Sequence, residues 1–197
     1  SHWADIAPTS PAEHRRMTHT KNREPQIVAI HRSLAKHDLP HAFGGALALA
    51  WCTQRARGTI DIDVNVFVDP EQADEVLAAF PEAVVATAEK RLELAGIGQV
   101  RLWWDTTPID VFLDTTPFHR AVASRIRWEP FAGIDTPFLG CRDIAVFKTF
   151  FDRTRDWADL EEMAAAGSLD VEAVIGVLAN HLDGDDHRIE RLRRLAV

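Results

Sequence analysis

One short segment places the strongest constraint on the fold of this chain. From Ile60 to Val68, apolar residues alternate with a second set that begins with Asp61 and Asp63. Because strand side chains point alternately to opposite faces, this pattern predicts a strand with both carboxylates on its polar face. Same-face residues lie roughly 6.5–7 Å apart along a strand, so the two acids repel each other unless a cation lies between them. The segment predicts a divalent-metal site or, alternatively, an edge strand with two solvated acids.

A glycine pair upstream of this strand favours the first alternative. Gly44 and Gly45 precede an apolar helix in a strand–turn–helix pattern predicted over Ala42 to Gln54. Glycine allows close approach of the backbone to a ligand, and the start of a helix offers unpaired N–H groups to phosphate. Alone, the pair would be a packing turn. Followed by Arg57 and Thr59 and then by the acidic strand, it predicts that Gly44, Gly45, Arg57 and Thr59 bind a nucleotide.

The segments Phe43 to Trp51 and Arg57 to Val64 resemble the defining motif of the minimal nucleotidyltransferase superfamily. They are similar to its AbiEii branch and, within that branch, most similar to the mycobacterial MenT toxins. The resemblance runs from about Pro25 to Val177. It implies an α/β (α+β) fold, with a small mixed sheet, flanking helices and a C-terminal helical bundle. It also implies a metal-dependent nucleotidyltransferase.

The family pattern includes a third carboxylate on a neighbouring strand, and Asp110 within Ile109-Asp110-Val111-Phe112 matches it. Together Asp61, Asp63 and Asp110 would hold one or two Mg²⁺ (or Mn²⁺) ions, which bridge the nucleotide phosphates and activate the attacking hydroxyl. The alternative is that Asp110 is an acid at a strand exit and that the first pair coordinates the metal alone.

The second half of the chain carries the other family signature. On a continuous helix one stripe would contain Lys148, Asp152, Arg155 and Asp159. In the absence of any resemblance, this stripe would be a solvated face with ion pairs. The resemblance implies that Lys148 contacts the nucleotide triphosphate, and that Asp156 or Asp159 orients the lysine or accepts the proton of the substrate hydroxyl.

For the activity, the resemblance implies transfer of a nucleoside monophosphate, preferably from CTP or UTP, to the 3′ end of tRNA. Pyrophosphate would be released, and the modified tRNA acceptor end would no longer be aminoacylated, which stops translation. A cognate antitoxin protein would be the partner, and Thr59 is a candidate regulatory phosphorylation site. One alternative is the same chemistry on a protein or an aminoglycoside-like small molecule. The other is a non-catalytic binding or antitoxin module.

Composition narrows the choice of partner. The net charge of −8 and a pI near 5.5 argue against a generally basic nucleic-acid binder. A local basic rim is nevertheless enough to engage a few phosphates, and Arg120, Arg125 and Arg127 are the candidates for RNA binding. Cys52 and Cys141 lack metal or redox spacing, which predicts a reducing, cytoplasmic location. The longest apolar run is too short to cross a membrane.

The predicted organisation has three parts. Residues 1–23 are expected to form a flexible arm, residues 24–139 the nucleotidyltransferase core, and residues 140–197 a helical bundle that completes the active site. A first helix is predicted from Glu24 to His37, and paired strands from Gln99 to Trp104 and from Pro108 to Leu113. Gly96-Ile97-Gly98 is interpreted as a hairpin turn.

Overall fold

A seven-stranded mixed sheet forms the centre of the computed structural model, which describes residues 11–55, 58 and 60–196. The strand order is β3-β4-β5-β2-β1-β7-β6. The strands are β1 (His41–Phe43), β2 (Ile62–Val66), β3 (Val84–Val85), β4 (Gln99–Trp104), β5 (Thr107–Leu113), β6 (Arg127–Phe131) and β7 (Ile134–Phe138).

The pairing within this sheet follows from alternation and from short turns. Strand β2 runs parallel to β5 and antiparallel to β1, and the β4–β5 hairpin turns at Asp105, whose φ is 52°. Ile62, Val64 and Val66 of β2 are fully buried, as the alternating pattern predicts. The predicted pairing of the strands beginning at Gln99 and near Pro108 is confirmed.

Nine α-helices are present among the described residues. They are α1 (Pro11–Lys36), α2 (Gly45–Thr53), α3 (Ala73–Ala79), α4 (Ala88–Ile97), α5 (Pro117–Val122), α6 (Cys141–Phe151), α7 (Thr154–Ala165), α8 (Val171–Leu178) and α9 (His187–Arg193). The predicted mixed α/β fold class is confirmed. None of these helices combines the length and the apolar character needed to cross a bilayer.

The described residues form two compact units. The first contains those of Ser1–Leu47 and Ala56–Leu139, and includes the whole sheet. The second contains Ala48–Arg55 and the described residues of Gly140–Val197. The core of the second unit is built around Trp157, which is 1% exposed, together with apolar residues of α6, α7 and α8.

Two local predictions are wrong. The first helix begins at Pro11 rather than Glu24, so the second half of the expected flexible arm is helical; residues 1–10 lie outside the described residues. Gly96-Ile97-Gly98 is not a hairpin turn, because Thr87 caps the start of α4 and the helix continues to Ile97. Gly98, with φ 70°, ends that helix in the left-handed conformation that favours glycine.

The cysteines were also interpreted wrongly. Cys52 of α2 and Cys141 at the start of α6 form a disulfide within the second unit, with 5.7 Å between their Cα atoms. Their sequence separation of 89 residues hid the pair, because spacing alone carries no information on a contact of that range. The argument for a reducing compartment therefore rested on a false premise, since disulfides are rare there.

We expect reduction of this disulfide to lower the free energy of unfolding by about 2–4 kcal/mol, because a cross-link over a long loop restricts the unfolded chain. Urea unfolding with and without dithiothreitol measures the loss. The Cys52→Ser/Cys141→Ser variant is the control and should not respond to the reductant. An equal response in both proteins would contradict the prediction.

Candidate active site

Three neighbouring strands bring three charged residues into one row. Asp63 of β2 is in register with Asp110 of β5, and Asp110 is in register with Arg101 of β4. Asp61 lies two residues before Asp63. The three acids each offer an oxygen within 4.8 Å of the other two, and all three side chains are half-buried. The structure thus brings together the acidic triad that the sequence predicts.

Arg101 forms ion pairs with two members of the triad. Its Nε donates to Asp110 Oδ1 and its Nη2 to Asp110 Oδ2, both at 2.7 Å, and Nη2 also donates to Asp61 Oδ2 at 3.2 Å. The hydrogen bond to Asp110, together with the charges of the triad, raises the pKa of Arg101 above its usual value. The guanidinium thus offsets part of the repulsion among the carboxylates.

The chemistry of this donor set fits a divalent cation. Mg²⁺ and Mn²⁺ are hard ions that prefer carboxylate oxygens, and Asp61, Asp63 and Asp110 offer three within a small volume.

The glycine turn is fixed by the backbone and the side chain of Asp63. Gly44 N–H donates to the Asp63 carbonyl at 3.0 Å. Gly45 begins α2 with φ 58°, and a Cβ at this position would lie 2.1 Å from Asp63 Oδ2. Only glycine fits there. The short distance between the turn and the Asp63 carboxylate therefore explains why the second residue of the Gly44-Gly45 pair is glycine.

Behind the glycine turn lies a buried polar group that sequence reasoning missed. The His119 ring lies between the Leu113 carbonyl, 2.7 Å from Nδ1, and the Asn65 side-chain amide, 2.8 Å from Nε2. Burial lowers the pKa of His119. A Cβ on Gly44 would lie 3.2 Å from Asn65 Nδ2, so this amide packs against the turn.

Asp114 belongs to the same buried layer. Its side chain is 4% exposed, and Oδ1 lies 3.4 Å from His119 Nδ1. Burial, reinforced by the charge of Asp69 and opposed by Arg120, raises the pKa of Asp114 to about 6. Burial penalises the ionised form of a carboxyl group, so the folded state favours the protonated form of Asp114.

In the second unit, Lys148 lies in a separate cluster of charges. Its Nζ is 2.6 Å from Asp159 Oδ2 and 3.4 Å from Asp156 Oδ1. Burial opposes ionisation of Asp156, but Arg153 and Lys148 outweigh it and lower the pKa of Asp156. The structure therefore brings together the three predicted residues of this half.

The route by which they meet differs from the prediction. Asp152 adopts φ 56° and ends α6, and α7 starts only at Thr154, so Lys148 and Asp159 do not share one continuous helical stripe. Asp156 also accepts from the backbone N–H of Arg153 and thus caps the start of α7. Asp156 therefore has a structural task in addition to its contact with Lys148.

The remaining predicted site residues are distributed as follows. Arg57 and Thr59 lie outside the described residues. Arg127 is paired with Glu129 at 2.6 Å, and Arg125 lies 6.0 Å from the ring centre of Phe118. Arg120 is on α5. Their role in RNA binding stays a prediction.

Arg101 could have been found from the sequence. The turn Asp105-Thr106 pairs Trp104 with Thr107, and counting back along the hairpin places Arg101 opposite Asp110. His119 offered no comparable signal, because its contact with Asn65 spans 54 residues.

Comparison with solved structures identifies the class of fold. A crystal structure of an antigenic nucleotidyltransferase-like protein from Paracoccidioides brasiliensis matches with a TM-score of 0.53 at 13% identity, over 88% of this chain and 93% of that one. The solution structure of the antibiotic-resistance factor ANT(2'')-Ia matches with a TM-score of 0.56 at 16% identity, over 81% and 91%. A crystal structure of ANT(2'')-Ia with adenylyl-2''-tobramycin gives 0.55 at 16% identity, over 81% and 96%.

At the level of sequence, no protein-family model and no curated protein matches this chain. The structural matches nevertheless agree with one another in class. The fold of this chain is therefore that of nucleotidyltransferase-like proteins, as the resemblance implied.

We expect Gly45→Ala to destabilise the first unit by more than about 1 kcal/mol, because a non-glycine residue is strained at this φ and its Cβ would displace the Asp63 carboxylate. Urea unfolding measures the effect. Gly96→Ala is the matched control: an added Cβ meets nothing within 4 Å there, and in helix α4 it should stabilise by roughly 0.5–1 kcal/mol. Equal effects of the two substitutions would refute the argument.

We also expect Asp114 to make the folded state less stable as the pH rises from about 4 to about 6. Over this range the unfolded chain has released the proton of Asp114 while the folded chain still holds it, so the stability must fall with pH. Asp114→Asn lacks this proton. The free energy of unfolding of the variant, relative to the wild type, should therefore increase between pH 4 and pH 6. A difference that is constant with pH would contradict the assignment.

Proposed function

We propose that this chain is a metal-dependent nucleotidyltransferase, which transfers a nucleoside monophosphate from an NTP to an acceptor hydroxyl and releases pyrophosphate. The observation that carries the proposal is the close packing of the Asp63 carboxylate against the Gly44-Gly45 turn at the start of α2. The proposed metal ligand and the proposed phosphate-binding turn are thereby adjacent.

Each part of this arrangement has a chemical task. Asp61 and Asp63 would hold a divalent ion, which when bound neutralises the charge on the phosphates, and Asp110 is the third carboxylate at the site. The N–H groups at the start of α2 would bind phosphate oxygens, helped by the helix dipole. In the reaction, the acceptor oxygen forms a bond to the α-phosphorus, the bond to the leaving pyrophosphate breaks, and the hydroxyl proton passes to a base.

The second unit has the other residues for which the family resemblance implies roles. Lys148 would contact the triphosphate, and Asp156 or Asp159 would orient it or act as the base. Asp159 is the better candidate for orienting the ammonium, since it lies 2.6 Å from Nζ, whereas Asp156 also caps α7. These roles remain predictions, as does phosphorylation of Thr59.

For the acceptor, the proposal follows the resemblance to the AbiEii branch and its MenT toxins. The acceptor is then the 3′ end of tRNA, the donor CTP or UTP, and the outcome a block of aminoacylation that a cognate antitoxin relieves. Support for this choice comes from the motif pattern from Phe43 to Val64. The arginines Arg120, Arg125 and Arg127 would supply contacts with the RNA backbone.

A second acceptor class has a specific observation in its favour. The chain has a net charge of −8, which attracts a polycationic small molecule and repels RNA. ANT(2'')-Ia, which shares the fold, is described in complex with an adenylylated aminoglycoside. An aminoglycoside-like acceptor is therefore the principal alternative within the same chemistry.

A label-transfer assay distinguishes the tRNA acceptor from the aminoglycoside-like acceptor. The full chain is incubated with Mg²⁺ and each α-labelled NTP, with total tRNA in one arm and tobramycin in the other. Label on tRNA supports the hypothesis of a tRNA-modifying toxin, and label on tobramycin supports that of an antibiotic-modifying enzyme. Label on neither acceptor, with intact protein, would count against both and favour a protein acceptor or a non-catalytic module.

We expect Asp63→Asn to reduce label transfer at least 100-fold while the fold is retained, because the amide cannot replace a charged metal ligand. Asp74→Asn is the matched control: Asp74 is an exposed acid of the same unit, paired with Arg91. Thermal unfolding followed by circular dichroism verifies both variants. Undiminished transfer by the Asp63 variant would exclude this site.

A further inference from the structure

A cation is already built into the acidic triad. Arg101 engages both oxygens of Asp110 and one oxygen of Asp61, which leaves Asp63 as the member of the triad without a hydrogen bond to this guanidinium. The two contacts with Asp110 form the parallel, two-pronged pairing in which guanidinium recognises carboxylate most strongly. This pairing is directional, so Arg101 holds Asp110 in a defined orientation.

The sheet fixes the backbone of Arg101, whose side chain is 48% exposed. Val100 and Leu102, on either side of Arg101, are buried at 1% and 0% exposure, which anchors this part of β4. Arg101 itself stands directly opposite Asp110 in the antiparallel register, where cross-strand side chains are nearest neighbours. Its position is therefore a consequence of the fold.

Charge counting shows what this cation does to the site. When all are ionised, Arg101 makes the summed charge of these four side chains one unit less negative than that of the three carboxylates alone. A second divalent ion beside Asp110 would compete with Arg101 for the same oxygens and would be repelled by its charge.

We propose that Arg101 takes the place of a second metal ion, so that the site binds a single divalent cation on the side of Asp61 and Asp63. Arg101 is then a positioning residue: it holds Asp110 out of the coordination of the metal and fixes the charge of the site. This inference rests on the proposed function and decides between the one-ion and two-ion alternatives that the sequence leaves open.

Metal stoichiometry provides a readout that does not depend on catalysis. Mn²⁺ binding to the full chain is measured by electron paramagnetic resonance and calorimetry, and Asp63→Asn identifies the ions that belong to this site. The wild type should bind one such ion. Arg101→Met should bind a second ion, or the first roughly tenfold or more tightly, as Coulomb's law gives for removing one charge a few ångströms away in a water-like medium.

Two further variants isolate the cause. Arg101→Met/Asp110→Asn restores the net charge of the wild-type site and removes the carboxylate that Arg101 holds, so it should bind one Mn²⁺ with wild-type affinity. This variant also keeps the test decisive if the single substitution impairs folding. Arg91→Met is the matched control, because Arg91 forms an exposed ion pair with Asp74 in the same unit; it should leave Mn²⁺ binding unchanged.

The outcomes that overturn the inference are distinct from failure of the proposed function. Two Mn²⁺ ions at the wild-type site, or a tenfold weaker Mn²⁺ affinity in the double variant, would show that Asp110 is a metal ligand. Unchanged Mn²⁺ binding in Arg101→Met would show that Arg101 forms only a surface ion pair. No Mn²⁺ at the wild-type site would overturn the metal-dependent function, and the inference with it.

Discussion

Repulsion among three carboxylates is the interaction on which the rest of the site depends. The register of β2 and β5 places Asp63 beside Asp110, and Asp61 lies directly before β2, so one oxygen of each acid lies within 4.8 Å of the other two. Positive charge at this place therefore favours the arrangement. Arg101 supplies one positive charge there from the neighbouring strand β4.

The position of the Gly44-Gly45 turn also depends on strand β2, which carries Asp63. Because the backbone N–H of Gly44 donates to the carbonyl of Asp63, the start of α2 is placed beside the face that carries the acidic triad. That closeness leaves no room for a side chain on Gly45. The buried amide of Asn65, held by His119, supports the turn from the other side. The proposed phosphate-binding turn and the proposed metal site thus depend on one set of backbone contacts.

Local patterns were enough to predict much of this. Alternation identified the faces of β2 and β5, because side-chain direction in a strand is fixed by residue parity, and the family resemblance pointed to Asp110 as the third carboxylate. The glycine turn was recognised from its position before an apolar helix. Gly98 shows the limit of such reasoning: a glycine in the left-handed conformation ends a helix and turns a hairpin equally well, and the sequence around Gly96 does not distinguish them.

Contacts between distant residues were not predictable in this way. The Cys52–Cys141 disulfide and the His119–Asn65 pair join segments separated by 89 and 54 residues, and no periodicity reports such a contact. Lys148 and Asp159 show the intermediate case. Their spacing suggested one helix, but the helix ends at Asp152, and the two side chains meet because α7 folds back against α6. The contact was predicted correctly for the wrong reason: it is produced by the packing of two helices, so it depends on the turn at Asp152 and not on helical periodicity.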